Sequence, residues 1–370
     1  MNVHILCNER SRLGRWGIDM SADGGSEILR SIGLAIIAIG VAVTGLVLGS
    51  SFLIPLAIAI LLWNLLEALI NSFERIGFVP VHLPRPVATV LGIAVVVLSL
   101  YLVVSILFGQ ADAIQSAWPS YVSRLETMVG ELTQWLGPEG SAKVRKILEE
   151  FDLTRRIPSL LFSAQSFMVS LVLVVAYVGF LLAEGQYLGA KVAAMSQSKE
   201  QAAKTSALLT DISESIRRYI WIKTFVSLLT AGLSYAILRS IGVDFAETWA
   251  ILIFVLNFIP NIGSILAVTF PALIALVQFD SLTPFLTLVF GLTALQFVIG
   301  SILEPILMGS TLNMSPFAII LGLAFWGTIW GVVGMFLSVP ILVLVMIVCA
   351  HIPSWRWIAV LLSKDGNIAV

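Results

Sequence analysis

The sequence predicts an all-α, polytopic membrane protein with about six full transmembrane helices, two broken or re-entrant helical hairpins, and amphipathic helices outside the membrane. Three observations predict it. Of the 370 residues 58% are hydrophobic and only 12% charged, against about 25% charged in soluble domains. Mean hydropathy is +1.00, and the apolar residues fall in runs long enough to cross a bilayer. Two further runs are interrupted by proline and glycine, at residues 259–263 (IPNIG) and 327–334 (GTIWGVVG). The net charge of −1 leaves no nucleic-acid footprint. Cys7 and Cys349 lie near opposite ends and form no metal or redox spacing. His4, His82 and His351 fall outside the apolar runs and read as solvated or interfacial.

Residues 1–30 lack the apolar core of a signal peptide and read as a cytoplasmic tail, with Met20 an alternative start. Residues 31–109 hold three spans, at 32–48, 52–71 and 87–108. Asn64, Glu67 and Asn71 share one face of the second. Such groups are costly against lipid, so they face protein or water, or else lie near the membrane surface. Residues 110–158 leave the membrane on the extracytoplasmic side. Trp118, Tyr121, Leu125, Met128, Leu132 and Trp135 recur at helical spacing there, as in an amphipathic helix. Gly137-Pro138 is expected to end that helix before a second one at 141–150. Residues 159–239 hold spans four (160–183) and five (219–238), with a cytoplasmic interfacial helix at 186–217. Residues 247–350 form a transport-like core, and 351–370 a cytoplasmic tail.

Within the core, the apolar arms 248–258 and 264–277 flank Pro260 and Gly263. Pro260 removes a backbone donor, and Gly263 offers freedom for a turn. A full span, 283–303, carries Gln296 and ends at Glu304. A polar connector, 308–315, leads to arms 316–330 and 332–348, with Gly327, Gly331 and Gly334 at their junction. Arm length alone allows re-entrant hairpins or ordinary spans with tight turns. Lys and Arg divide fourteen to seven in favour of the side that holds both termini, which is therefore cytoplasmic. If both broken segments are hairpins, they enter from opposite faces around a midplane site.

The stretch 304–340 resembles the C-terminal signature of the autoinducer-2 exporter family of bacterial membrane proteins. The matching residues are Glu304-Pro305, Gly309, Ser315-Pro316, Trp326-Gly327, Gly331, Gly334-Met335 and Pro340. A second matching piece comprises Phe258-Ile259-Pro260, Ile262-Gly263 and Pro271. The hydropathy profile is similar from about residue 32 to 348. The resemblance implies a secondary transporter of the bacterial inner membrane, exporting a small quorum-sensing signal or metabolite such as autoinducer-2. It also implies hairpin gating and a homo-oligomer, a pentamer in the family's manner, within the lipid bilayer.

No phosphate-binding glycine loop, HExxH pair or serine–histidine–acid set occurs in the apolar segments, so an enzyme is not expected, nor is a cofactor. The candidate substrate pathway is the set of polar groups at the broken helices. It comprises Asn257, Pro260, Asn261, Gly263, Ser264 and Gln296, then Glu304, Ser310, Thr311, Asn313 and Ser315, with Glu67 from the second span. Pro271, Pro305, Gly309, Pro316, Gly327, Gly331, Gly334 and Pro340 are the hinge and structural candidates. Amides and hydroxyls, Thr328 included, suit a small neutral, hydroxyl-rich ligand, although each taken singly fits a cap or turn equally well. Glu304 needs an offset for a carboxylate at a helix C-terminus. Solvent, backbone N–H groups of the connector, or a bound cation could supply it, and a backbone clamp is the favoured reading. Two rival functions stay open. One is a cation/proton antiporter coupled through Glu304 or Glu67, and the other a non-transporting scaffold that binds a partner through residues 118–136.

Overall fold

The computed structural model describes residues 22–74, 83–150, 170–185, 187–196, 198–309 and 313–367. Parts of the expected fourth span and of the 308–315 connector, including Ser310 and Thr311, lie outside the described residues. The chain divides into two compact units, Met1–Ser51 and Phe52–Val370. The first contains α1 (Ala22–Leu48), which exposes Leu34, Ile36, Ile37 and Val41, as a lipid-facing helix does. Helix α2 (Ser50–Glu74) starts at the boundary and leads into the second unit.

The second unit continues with α3 (Arg85–Glu150), α4 (Ser170–Gly185), α5 (Leu188–Met195) and α6 (Lys199–Ile241). Then come α7 (Ala246–Leu256), α8 (Ile262–Gln278), α9 (Leu282–Met308), α10 (Pro316–His351) and α11 (Arg356–Leu362). The described residues contain no β-strand. Five of these helices are long and apolar enough to cross a bilayer, and six if α4 and α5 form one bent span. The protein is therefore an all-α, multi-pass membrane protein.

Helix α6 is the spine. The Ser198 hydroxyl caps its start by accepting from the Gln201 N–H at 3.2 Å, and Gly242 closes its end at φ 84°. The expected interfacial helix, 186–217, is divided: its first part is α5, and its second part runs with the fifth span as one continuous rod of 43 residues. Lipid is as apolar as leucine, so its packing against neighbours relies on close approach and polar contacts.

Both broken segments are hairpins. In the first, α7 and α8 lie side by side, with Trp249 stacked on Phe270 at 6.4 Å and Ile253 and Ala267 in one buried cluster. Its base is stapled by Gln278, whose Nε2 donates to the Gly242 carbonyl at 2.8 Å. The same side chain's Oε1 accepts from the Asp244 N–H, also at 2.8 Å. The hairpin thus begins and ends at the Ile241 end of α6. The second hairpin is α10, which doubles back at Gly331 (φ 62°, ψ −143°). Gly322 packs against Ser338, 2.9 Å from where its Cβ would stand. In a straight helix those residues would be about 24 Å apart. His351 Nε2 lies 3.5 Å from Asp211 on the N-terminal half of α6, so this hairpin enters from the other end.

Three local expectations change. The helix from Arg85 runs unbroken to Glu150, through Gly137 and Pro138. A proline costs a long helix one hydrogen bond and a bend, which need not end it. The helix carrying Glu304 does not stop at Pro305. It widens into a π-helical stretch, Val298–Leu303, and continues as Glu304–Met308 to Gly309 (φ 53°). Wider turns accommodate a ring that would clash with the carbonyl four residues back. Finally, the positive φ in the first break belongs to Asn261 (61°), and Gly263 serves close approach instead. A Cβ on Gly263 would overlap the carbonyl oxygen of Leu256.

Candidate functional site

The two hairpin tips meet. Phe258 of the first lies 4.9 Å, ring to ring, from Phe336 of the second. Leu256, Ile259 and Leu323 form a shared buried cluster, with Leu252, Leu266 and Met335 packed against it. The tips are built by the same device. A residue at positive φ reverses the chain, Asn261 in one and Gly331 in the other. A glycine in the returning arm then seats against a carbonyl of the outgoing arm. Gly263 does so at Leu256, and Gly334 at Trp326, where a Cβ would again overlap the oxygen.

Between the tips lies a cavity of about 410 Å³. Pro260, Asn261 and Ile262 line it from the first hairpin; Ile320, Leu323, Ala324, Gly327, Thr328 and Met335 line it from the second. Among the described residues no charged side chain borders it. Thr328 already donates to the Ala324 carbonyl at 2.7 Å, which leaves its oxygen as an acceptor, and Asn261 offers an exposed amide. Of the sequence-predicted pathway residues, Pro260 and Asn261 line this cavity, and Gly263 shapes the turn beneath it.

The other candidates are elsewhere. Asn257 is buried and donates to the Ser227 hydroxyl at 3.0 Å, which ties the first tip to α6. Gln296 is buried on α9, and Ser264 is half-buried in the first turn of α8. Asn313 and Ser315 face the C-terminal tail. The Asn313 amide donates to the Asp365 carboxylate and, at 2.8 Å, to the Asn367 carbonyl. The Ser315 N–H donates to the Leu362 carbonyl at 2.8 Å, and Met314 pairs with Ser363 in an antiparallel bridge. Asn313 holds the exposed Asp365 carboxyl below its ordinary range, through that side-chain hydrogen bond first. Glu67 sits 3.4 Å from Arg85, remote from the tip cavity. Pro271 and Pro340 are buried within their hairpins, and Pro316 occupies the first turn of α10, where its missing N–H costs nothing.

Glu304 has a partner that sequence reasoning missed. Lys223 of α6 donates to it at 2.5 Å, and Lys223 is only 3% exposed. The expected backbone clamp is therefore replaced by an ion pair 81 residues apart in sequence. Lys223 belongs to a buried polar row on α6 with Ser227, Thr230 and Ser234. Their spacing of i, i+4, i+7 and i+11 within an apolar span was the available signal. The Lys223 charge also leaves the tally of loop cations, which becomes thirteen to seven.

Beyond its apolar span, Arg85–Gln110, the far part of α3 holds the base of the first hairpin. Gln110 Nε2 donates to Glu247 at 2.8 Å, and Tyr121 donates to Asp244 at 2.5 Å. Burial, and then that bond to Asp244, push the Tyr121 phenol above its ordinary range.

The sequence pattern of the AI-2E family transporter matches residues 34–354, which include both hairpins, α6 and the connecting span. The chain belongs to the AI-2E transporter family. This AI-2E family transporter is 28% identical over 343 residues to the AI-2 transport protein TqsA of Escherichia coli (strain K12), covering 92% of the chain and 96% of that protein. It is 40% identical over 190 residues to a putative transport protein of Borreliella burgdorferi, covering 51% of the chain and 52% of that relative. With the putative transport protein YhhT of Escherichia coli (strain K12) the identity is 28% over 319 residues, 83% of the chain and 87% of YhhT. In this AI-2E family transporter, the glycines and prolines that carried the resemblance include those that form the two reversals.

Proposed function

We propose that this AI-2E family transporter is a secondary transporter that exports a small, uncharged, polar molecule through the junction of its two hairpins. The observation that carries the reading is an open cavity of about 410 Å³, with no charged side chain among its described lining residues, between tips that come from opposite ends of α6. That volume falls in the usual range for small-molecule sites. Withdrawal of one tip opens the cavity toward one face, and withdrawal of the other opens it toward the opposite face, which is alternating access. Autoinducer-2 is the first substrate to test, because the relative TqsA is an AI-2 transport protein.

The protein works in the bacterial inner membrane with both termini cytoplasmic, as the thirteen-to-seven cation bias supports. It acts as a homo-oligomer, with a pentamer as the expected state. One observation favours a second reading. The Lys223–Glu304 pair, buried at the lysine and half-buried at the glutamate, places a carboxylate on a membrane span, where ionisable groups commonly couple ion movement.

Purified protein in liposomes, loaded with autoinducer-2 and given proton or sodium gradients, separates these readings. Efflux of autoinducer-2 above that of empty liposomes supports the first. Gradient-driven sodium–proton exchange without autoinducer-2 movement supports the second.

A further inference from the structure

A second cavity, of about 1110 Å³, opens between α2, α3, α4, α5 and α6. It lies where α2 passes from apolar residues to Glu67 and Asn71, and where the polar half of α6 meets its apolar half at Arg217-Arg218. Trp63 and Trp221 line the cavity there, and indoles are enriched at membrane–water interfaces, where lipid headgroups lie. Its walls carry both signs of charge: Arg85, Arg217 and Arg218 against Glu67 and Glu214. Arg85 and Glu67 pair at 3.4 Å. Among the described residues Arg217, Arg218 and Glu214 have no ion-pair partner. From Trp221 an exposed apolar row runs along α6 through Phe225 and Leu228, at i, i+4 and i+7, into the apolar half of the helix.

We propose that this cavity binds the headgroup of a membrane phospholipid that carries a primary ammonium beside its phosphate. Arg217 and Arg218 receive the phosphate, for which guanidinium groups are suited. Glu214, with Glu67 behind it, receives the ammonium, whose three N–H donors match carboxylate acceptors. One acyl chain lies along Trp221, Phe225 and Leu228. The carboxylates disfavour a purely anionic headgroup, and a quaternary ammonium has no N–H to give them. A soluble phosphoamine would leave the apolar row unused. The site is independent of which molecule crosses at the hairpin tips.

The test is native mass spectrometry of the full-length protein in detergent, titrated separately with phosphatidylethanolamine, phosphatidylglycerol, phosphatidylcholine and water-soluble glycerophosphoethanolamine. Phosphatidylethanolamine is expected to bind most tightly. The Arg217→Ala/Arg218→Ala variant should weaken it about tenfold or more. Glu214→Gln should remove most of its advantage over phosphatidylglycerol. Thermal unfolding checks the fold of each variant. If the double variant fails to fold, Arg218→Ala and Glu214→Gln, both at exposed positions, decide the matter. Equal binding of the three lipids, or undiminished binding by folded variants, overturns the proposal. Binding of glycerophosphoethanolamine as tight as that of the lipid overturns it as well, by assigning the cavity to a soluble ligand.

Discussion

Lys223 keeps an ammonium 3% exposed within a membrane-spanning helix, and only Glu304 offsets it among the described residues. Desolvating two charges costs several kcal/mol each, so the pair need not stabilise the fold relative to apolar residues of the same size. Breaking it is another matter, because the surviving charge is left buried. Glu304→Gln is expected to cost about 3–5 kcal/mol and to lower the thermal midpoint of the purified protein. A backbone clamp would instead have tolerated the amide. Lys223→Met combined with Glu304→Gln should recover most of the loss, and a double variant no more stable than Glu304→Gln alone would remove the pair from the account. Neither partner's role was legible from sequence. Lys223 lies in the first turns of the expected fifth span, close to Arg217-Arg218 at its edge, and pairing across 81 residues leaves no local pattern. The polar spacing on α6 marks a buried face without saying what it meets.

At the scale of the element, the hairpins were legible because proline and glycine interrupt runs too short to cross the bilayer comfortably. The division of labour among the glycines was not, since a glycine needed for positive φ and one needed for close approach look alike in sequence. The structure separates them, and the separation predicts a graded series. Gly263→Ala and Gly334→Ala should each spread a hairpin, because the obstacle is a backbone carbonyl that cannot turn aside. Each is expected to cost about 1–3 kcal/mol and to abolish or strongly reduce flux at equal expression. Gly327→Ala meets only the flexible Met335 side chain, at 3.0 Å, and should be far milder. Equal flux in all three would contradict the shared reversal device. The second hairpin has a further restraint in the tail, through Asn313 and Asp365. Asp365 titrates below its ordinary value, so its contribution is present above the unfolded aspartate range and is lost as pH falls through the lower, folded value. Hydrogen exchange at the Ser315 and Lys364 amides, which bond to the opposite segment, should therefore accelerate in acid beyond the intrinsic pH trend. Asn313→Ala should produce the same acceleration at neutral pH, and unchanged protection in that variant would show that the clamp does not hold the tail.

For the molecule as a whole, membrane placement followed from composition, and the opposed sense of the hairpins followed from counting spans and cations. The meeting of their tips did not, because it depends on side-chain packing between segments about 75 residues apart along the chain, which periodicity cannot report. The same gap explains why the polar candidates dispersed. Asn257 and Glu304 brace α6, Asn313 and Ser315 hold the tail, and the cavity itself is mostly apolar. Transport by the proposed route requires the tips to part. That parting is tested most directly by replacing Phe258 and Phe336, whose rings stand 4.9 Å apart, with cysteine in a background lacking Cys7 and Cys349. The pair is then bridged with a short, reducible bifunctional thiol reagent, and autoinducer-2 efflux from liposomes is measured before bridging, after bridging and after reduction. Efflux is expected to fall to the level of empty liposomes on bridging and to return on reduction. Undiminished efflux from fully bridged protein would contradict it.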